Sequence, residues 1–328
     1  MPKGTDIGID LGTESIVVFV KGKGILIREP SLVAYDKDQK KIVAYGREAQ
    51  EVLDSSNGSI IGIRPLKRGV ISNFVIMENL LQHFLQMAIG YRLFIKPTLT
   101  ICIPSGVTDV EKRAVEEAAY KAGARRVTLV KETVAAALGA GLDIMKPAGN
   151  MIVDIGGTST DIAVLSLGGV AVGQSMQIGG EDFNIAIASY LRERHNIMVS
   201  LKTAEQLKIK IGTASRLPHN LQMNVTGRAA TDGTTRKVLI TSEDIRRALL
   251  EPVGQLTDAV SGVLERTQPD LAADISERGI LLVGGGAMLV GMEEAIEEVT
   301  GIPTVLAEHP ISAVARGTAM YLEKMEAL

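Results

Sequence analysis

The sequence predicts an α/β protein of two related lobes, each a mixed β-sheet flanked by helices, and three observations carry that prediction. A short strand ending in an acid and a glycine-containing turn occurs twice, as IGIDLGTESI (residues 7–16) and MIVDIGGTSTDI (residues 151–162). Asp10 and Asp154 stand 154 − 10 = 144 residues apart. Each copy is followed by further short β-branched strands and then by segments of helical period, the alternation expected of an α/β architecture. The 328 residues suffice for about two domains at roughly 150 residues each. With 46% hydrophobic residues but only 3% aromatic and no Trp, both cores are expected to be aliphatic.

The elements follow in order. IGIDLG, SIVVFV, GILIREPSLVAYD and KIVAYG read as strands separated by turn residues. Residues 75–91 carry apolar side chains at 77, 80, 81, 84, 85 and 88, a helical period. LTICIPSG (99–106) is a buried-strand pattern, with Cys102 as a core residue. Thr108 and Glu111 form a capping box for a helix whose expected apolar stripe is Val110, Ala114, Ala118 and Ala122, ended by Gly123. RVTLV (126–130) is a strand, followed by an alanine-rich helix. After residue 150 come MIVDIGG, DIAVLSL and VAVGQSMQI as strands, then helices in FNIAIASYLRERHN and AEQLKIKIG. LQMNVTG and KVLIT form a hairpin around TDG, and Thr241 with Asp244 opens a helix in which Pro252 is expected to introduce a kink. GILLV (279–283) is a strand, GGG a turn, and MLVGMEEAIEEVTG a helix.

Composition removes several functional classes. The 35 basic and 38 acidic residues are interspersed, net −3, with no basic block, so nucleic acid is not an expected partner. A single cysteine excludes an intrachain disulfide and fits a reducing compartment. MPKGTD has no apolar segment of the kind a signal peptide requires. The nineteen uncharged residues from Ile162 to Gly180 contain five glycines and two glutamines. They read as a hairpin turning on Gly168-Gly169 rather than as a membrane span. Four scattered histidines suggest no zinc site.

The paired turns carry the chemistry. A phosphate chain needs backbone N–H donors that can approach closely, which glycine permits. Gly12, Thr13 and Glu14 could hold one side of a triphosphate, and Gly156, Gly157 and Thr158 the other. Asp10 and Asp154 then require a cation, and Mg²⁺, held through its water shell, is the natural one. Taken singly, either turn is as well read as an ordinary hairpin with Asp-Gly chemistry; the matched pair argues otherwise. LLVGGGAMLVG (281–291) offers a third turn at Gly284, Gly285, Gly286 and Ala287, a weak signal alone. In TAEQLKIKIG (203–212), Glu205 and Lys208 share a helix face and could reach a ribose or base edge, a surface ion pair being the alternative.

The order of these four pieces resembles the actin, sugar-kinase and heat-shock chaperone ATPase superfamily. Within it the chain is similar to the bacterial actin MreB/Mbl family from about residue 5 to 322. The resemblance rests on GIDLGT, REPSLVAYD, RPLKRGVISNF, PSGVTDVEKRAVEEAAYKAGAR, ETVAAALGAGL, VDIGGTSTDIAVLSLGG, GGEDFNIAIASYLR, TAEQLKIKIGTA, GILLVGGGAML and AVARGTAMYL. It implies an actin-like ATPase fold with a nucleotide cleft between the lobes. The first lobe would be 1–144 plus 313–328 with a small subdomain near 33–72, and the second 145–312 with one near 181–246. It implies ATP with Mg²⁺ held through water by Asp10 and Asp154, and Glu132 polarising the attacking water. Adenosine contacts fall on Ala204, Glu205, Gln206, Leu207 and Lys208 and on Gly284 to Ala287.

Two departures bear on rate. The family more often shows Glu-Glu-Pro where this chain has Lys131-Glu132-Thr133, and a third glycine followed by Thr where it has Thr158 and Ser159. The resemblance further implies a slow ATPase that polymerises with itself into filaments guiding cell-wall synthesis to set rod shape. Such filaments are cytoplasmic, peripheral at the inner face of the cell membrane, and partnered with membrane proteins of the elongation machinery. Leu93 and Phe94, between Arg92 and Lys96, are the expected contact with an anionic membrane. A small-molecule kinase or a plasmid-segregation or division actin on the same fold remains the alternative.

Overall fold

The structure, a computed structural model, describes residues 6–56, 58–67, 70–90 and 96–325. The chain divides into two compact units. The first runs to Asp143 and resumes at Ser312; the second is Ile144–Ile311.

The first unit contains β1 (Asp6–Leu11), β2 (Ser15–Val20), β3 (Gly24–Pro30), β4 (Val33–Asp36), β5 (Lys41–Tyr45), α1 (Gly46–Ser55), β6 (Ile60–Ile63), β7 (Leu66–Lys67), β8 (Val70–Ile71), α2 (Phe74–Ile89), β9 (Thr98–Ile103), α3 (Asp109–Lys121), β10 (Arg126–Lys131) and α4 (Glu132–Gly139). The second contains β11 (Asn150–Ile155), β12 (Thr160–Ser166), β13 (Gly169–Met176), α5 (Gly180–Arg194), β14 (Ile197–Met198), α6 (Leu201–Ile211), β15 (Gln222–Ala229), β16 (Thr235–Thr241), α7 (Ser242–Glu265), α8 (Pro269–Arg278), β17 (Ile280–Val283), α9 (Met292–Thr300) and β18 (Thr304–Leu306). Helix α10 (Ala313–Met325) returns to the first unit.

The two main sheets have one topology. In the first unit the order is β3-β2-β1-β9-β10, in the second β13-β12-β11-β17-β18. In each, the first three strands form an antiparallel meander and the last two join in parallel. Each unit also holds a three-stranded antiparallel sheet, β5-β4-β6 and β14-β15-β16. Strands β9 and β11 are buried almost end to end, as expected when helices cover both faces. The cores are aliphatic, around Ile7, Ile9, Leu80, Leu81 and Ile101 in one unit and Val153, Ile187, Leu249, Leu256 and Ile280 in the other.

Helix α2 buries all six apolar positions its period marked, and Asn73 caps it by accepting a 3.1 Å bond from the Ile76 amide. Helix α3 has the Thr108/Glu111 capping box. It closes with the Gly123 amide on Tyr120 and the Ala124 amide on Ala119, a Schellman arrangement.

Its buried face differs from the expected stripe. Val110 is 78% exposed and Ala114 only partly covered, while Val115, Ala118 and Ala119 are buried. A strict four-residue step drifts about 40° per step around a 3.6-residue helix, so Val110 has rotated off the face that Ala118 occupies. The β12–β13 turn also differs. Ser166 pairs with Gly169, leaving Leu167 (φ 51°) and Gly168 (φ 75°) as the two turn residues. Sheet twist favours this primed turn, which requires positive φ at both central positions. Helix α7 runs through Pro252 as one 24-residue helix, anchored on either side by buried Leu249 and Val253. The helix expected after the third glycine turn starts later. A single 3₁₀ turn spans Gly286–Met288, and left-handed Gly291 (φ 79°) precedes α9. Among the described residues no helix is long and apolar enough to cross a membrane.

Helices α4 and α10 pack with their backbones in near contact. A Cβ on Gly139 would strike the Ala313 carbonyl, and one on Gly317 the Ala135 carbonyl. Gly317→Ala should therefore destabilise by about 1–3 kcal/mol through overpacking. Gly262→Ala in α7, where nothing lies within 4 Å, should stabilise by up to about 1 kcal/mol. Urea unfolding followed by circular dichroism checks the opposite signs.

Candidate functional site

Parallel strands bring the carboxyl ends of non-adjacent chain segments to one sheet edge, where open α/β sheets bind ligands. In the first unit Ile9 lies opposite Ile101 and Lys131 opposite Ile103, so the residues after β1, β9 and β10 share that edge. That edge carries Asp10, near the end of β1, with the turn Gly12–Ser15, Ser105 and Glu132. The Ser105 hydroxyl is 3.3 Å from that of buried Thr133, tying the loop after β9 to the start of α4. Glu132 is the first residue of α4 and partly accessible; Lys131 beside it is exposed.

The first turn is closed by the Gly12 amide donating 3.1 Å to the Ser15 carbonyl. Its other carbonyls are held from outside. The Ser31 hydroxyl donates to Gly12 O (2.7 Å) and the Ser31 amide to Glu14 O (3.0 Å). Arg64 Nη1 donates to Thr13 O and Glu14 O, each at 3.3 Å, while Nη2 pairs with the Glu14 carboxylate at 2.9 Å.

The second turn repeats the closure, Gly156 amide to Ser159 carbonyl at 2.9 Å. Here the carbonyls are held by the start of α5. The Gly180 amide donates to Gly156 O (3.0 Å) and the Glu181 amide to Gly157 O (2.7 Å). Gly179 makes this docking possible, because a Cβ there would stand 2.7 Å from Gly157 and from the Thr158 amide nitrogen. Lys208 Nζ, from α6, donates to Gly180 O at 2.7 Å; burial lowers its pKa, opposed by Glu205. The third turn lies against the second. A Cβ on Gly284 (φ 88°) would strike Ile155 O and stand 2.5 Å from Asp154 Oδ1, and Gly286 abuts Ile155 and Gly156.

The acids lie just before the turns. Burial pushes the Asp10 carboxyl up to about 7, with the Arg28 charge opposing. Asp154 is buried and directly opposite Asp161, itself 2% exposed, on β12. Two cross-strand carboxyls on one face repel when ionised, and hard oxygen donors of this kind suit Mg²⁺ with its waters. Thr158 Oγ1 is buried and has no hydrogen-bond partner among the described residues. An orphaned donor beside glycine turns fits a phosphate ligand.

The second unit thus gathers Asp154, Gly156, Gly157, Thr158, Gly284, Gly285, Gly286, Ala287 and Lys208 around one edge, while the first gathers Asp10, Gly12, Thr13, Glu14 and Glu132. Ala204 and Leu207 sit wholly in the core, so of the five contacts expected on that helix Glu205, Gln206 and Lys208 are the ones with accessible side chains. Leu93 and Phe94 lie outside the described residues. Sequence reasoning missed Ser31, Arg64, Asp161 and the α5 amides. Of these only Asp161 carried a local signal, four residues after the glycine pair.

A model of the MreB/Mbl protein family matches residues 4–328. The chain belongs to that family. It is 42% identical over 323 residues to the cell shape-determining protein Mbl of Bacillus subtilis (strain 168), covering 98% of this chain and 97% of that one. MreB5 of Spiroplasma citri bound to AMPPNP superposes with a TM-score of 0.94 at 33% identity, covering 100% of this chain and 98% of that one. The same protein bound to ADP gives 0.93, covering 99% and 98%. The MamK double helical filament shares the fold, with a TM-score of 0.82 at 20% identity and coverage of 97% and 98%. This MreB/Mbl protein therefore has the actin-like architecture that its duplicated sheets embody.

Two outcomes follow from the site. The raised Asp10 pKa means the folded state binds its proton more tightly than the unfolded chain. Stability from this group is full below about pH 4 and is lost as pH rises through 7. Asp10→Asn in nucleotide-free protein should be stabilising at pH 8, on the order of a few kcal/mol at most, with the gain vanishing by pH 4; unfolding curves at both pH values check it. Arg64→Ala should raise hydrogen-exchange rates at Gly12 and Ser31 and leave Gly156 and Gly180 unchanged, read by amide exchange.

Proposed function

We propose that this MreB/Mbl protein is an ATP-binding, slowly ATP-hydrolysing cytoskeletal protein that polymerises into membrane-associated filaments and helps set rod cell shape by guiding cell-wall synthesis. The observation that carries the reading is the repeated turn: two hairpins closed by the same Gly-to-Ser bond, both with their carbonyls tied down elsewhere. An acid sits two residues before the glycine that closes each.

Backbone amides of Thr13 and Glu14 and of Gly157 and Thr158 bind the phosphate chain, while those of Gly12 and Gly156 close the two turns onto Ser15 and Ser159. Asp10 and Asp154 hold Mg²⁺ through its waters, and the ion supplies charge neutralisation on the phosphates. Glu132 accepts hydrogen bonds from the attacking water and orients it. Glu205, Gln206, Lys208 and the Gly284–Ala287 turn hold the adenosine. The ADP- and AMPPNP-bound forms of MreB5 support a nucleotide here, and the cell-shape role named for Mbl supports the cellular reading. Self-association has the support of the MamK filament only at the level of fold. Leu93 and Phe94, flanked by Arg92 and Lys96, form the contact with anionic lipid at the cytoplasmic face, weak per subunit and multiplied along a filament. The membrane proteins of the elongation machinery are its further partners.

Sedimentation with Mg-ATP, with and without anionic liposomes and alongside phosphate release, tests the reading. Pelleting that depends on ATP with slow release is expected. Glu132→Ala should cut release by roughly 10²-fold or more while AMPPNP binding persists. A monomer under all conditions that consumes ATP only when a sugar is added would replace the filament with a kinase.

A further inference from the structure

Thr158 is the one member of the second turn whose polar side-chain atom is buried and idle. Other groups of the turn and its flank are already bonded within the protein. Gly156 N–H goes to Ser159 O; Gly156 O and Gly157 O accept from the amides of Gly180 and Glu181. The Thr160 hydroxyl donates to Ile178 O at 2.8 Å. Among the turn's side chains, Thr158 Oγ1 is the buried polar atom without a partner among the described residues, in a residue 8% exposed. Leaving a hydroxyl buried and unpaired is costly, and such groups in native proteins usually mark an absent ligand, ion or water.

The duplication sharpens this. The shared closure aligns Gly12–Ser15 with Gly156–Ser159, so Thr158 occupies the place held by Glu14 in the first turn. Glu14 turns outward, its side chain 45% exposed and paired with Arg64. The equivalent position in the second turn has instead a buried neutral donor. A hydroxyl donates without adding negative charge, which suits a polyanion, whereas an acid there would repel one.

We propose that the Thr158 hydroxyl is a direct hydrogen-bond donor to the phosphate chain of the bound nucleotide, a side-chain contact added to those of the turn amides. This rests on the nucleotide reading above. Ligand binding satisfies the hydroxyl, so the free protein bears a penalty that the complex relieves. The contact acts on affinity and on the difference between free and bound stability.

Thr158→Val removes the hydroxyl at nearly constant shape, and Thr158→Ser keeps it. Calorimetric titration of the full chain with AMPPNP and with ADP, with Mg²⁺ present, measures affinity; thermal melts without nucleotide measure the fold. The expected result is a loss of about ten- to hundredfold for Thr158→Val, the range of one hydrogen bond to a charged group, with Thr158→Ser close to the parent. The nucleotide-free Thr158→Val protein should melt as high as the parent or about 2–4 °C higher, because an unpaired buried hydroxyl has gone. Loss for AMPPNP alone places the contact on the terminal phosphate; equal loss for both places it further in. Unchanged affinity of Thr158→Val for both nucleotides overturns the proposal, as does a lower melting point without nucleotide, which would mark a structural hydroxyl. If the parent chain binds neither nucleotide, the nucleotide reading itself has failed, and the inference with it.

Discussion

The arrangement depends on one piece of backbone accounting. A tight turn holds its N–H groups toward an anion more firmly when its own carbonyls are bonded elsewhere, since each residue carries both a donor and an acceptor. Both turns meet this condition by different means. In the first, the Ser31 side chain and amide and the Arg64 guanidinium take the carbonyls of Gly12, Thr13 and Glu14. In the second, the first amides of α5, which helical geometry leaves without intrahelical partners, take those of Gly156 and Gly157. The start of helix α5 is thus spent on orienting a loop.

That difference shows how a duplicated sheet diverges while its edge is conserved. Strand order and turn closure are the same in both units. The supports are not: a side-chain clamp in one, a helix terminus and Lys208 in the other. The acids diverge too. Asp10 lies opposite Val17, Asp154 opposite Asp161. One unit carries a lone acid raised by burial, the other a facing pair.

Much of this was legible in the sequence because it is local. Strand period, the Thr108–Glu111 box, the six buried positions of α2 and the repeated acid-glycine string are all written within a few residues. What was missed depends on distance or on competing geometry. Ser31 and Arg64 meet the first turn from 19 and about 50 residues away, and nothing in their own neighbourhood marks them. Val110 and the Leu167-Gly168 turn failed for another reason. A spacing rule held to four, and a glycine pair taken at face value, gave way to the true helical repeat and to the twist that selects the turn. Ala204 and Leu207 sit in a motif that reads as binding, yet a helix must bury one face, and they are on it.

The glycine contact between α4 and α10 has a consequence for the order of folding. These helices flank the whole of the second unit in the chain, one ending at Gly139 and the other starting at Ala313. Helix α10 also lies on β1, where Gly8 meets Thr318, and Cys102 Sγ on β9 is 2.7 Å from Thr318 Oγ1. The first unit's core is therefore unfinished until α10, which follows the whole second unit in the chain, has been made, while the second unit is contiguous. Closing so long a loop carries an entropic cost that grows only slowly with its length, so the delay is one of synthesis more than of search. Until α10 arrives, the small-residue face of α4 and one side of β1 stand uncovered.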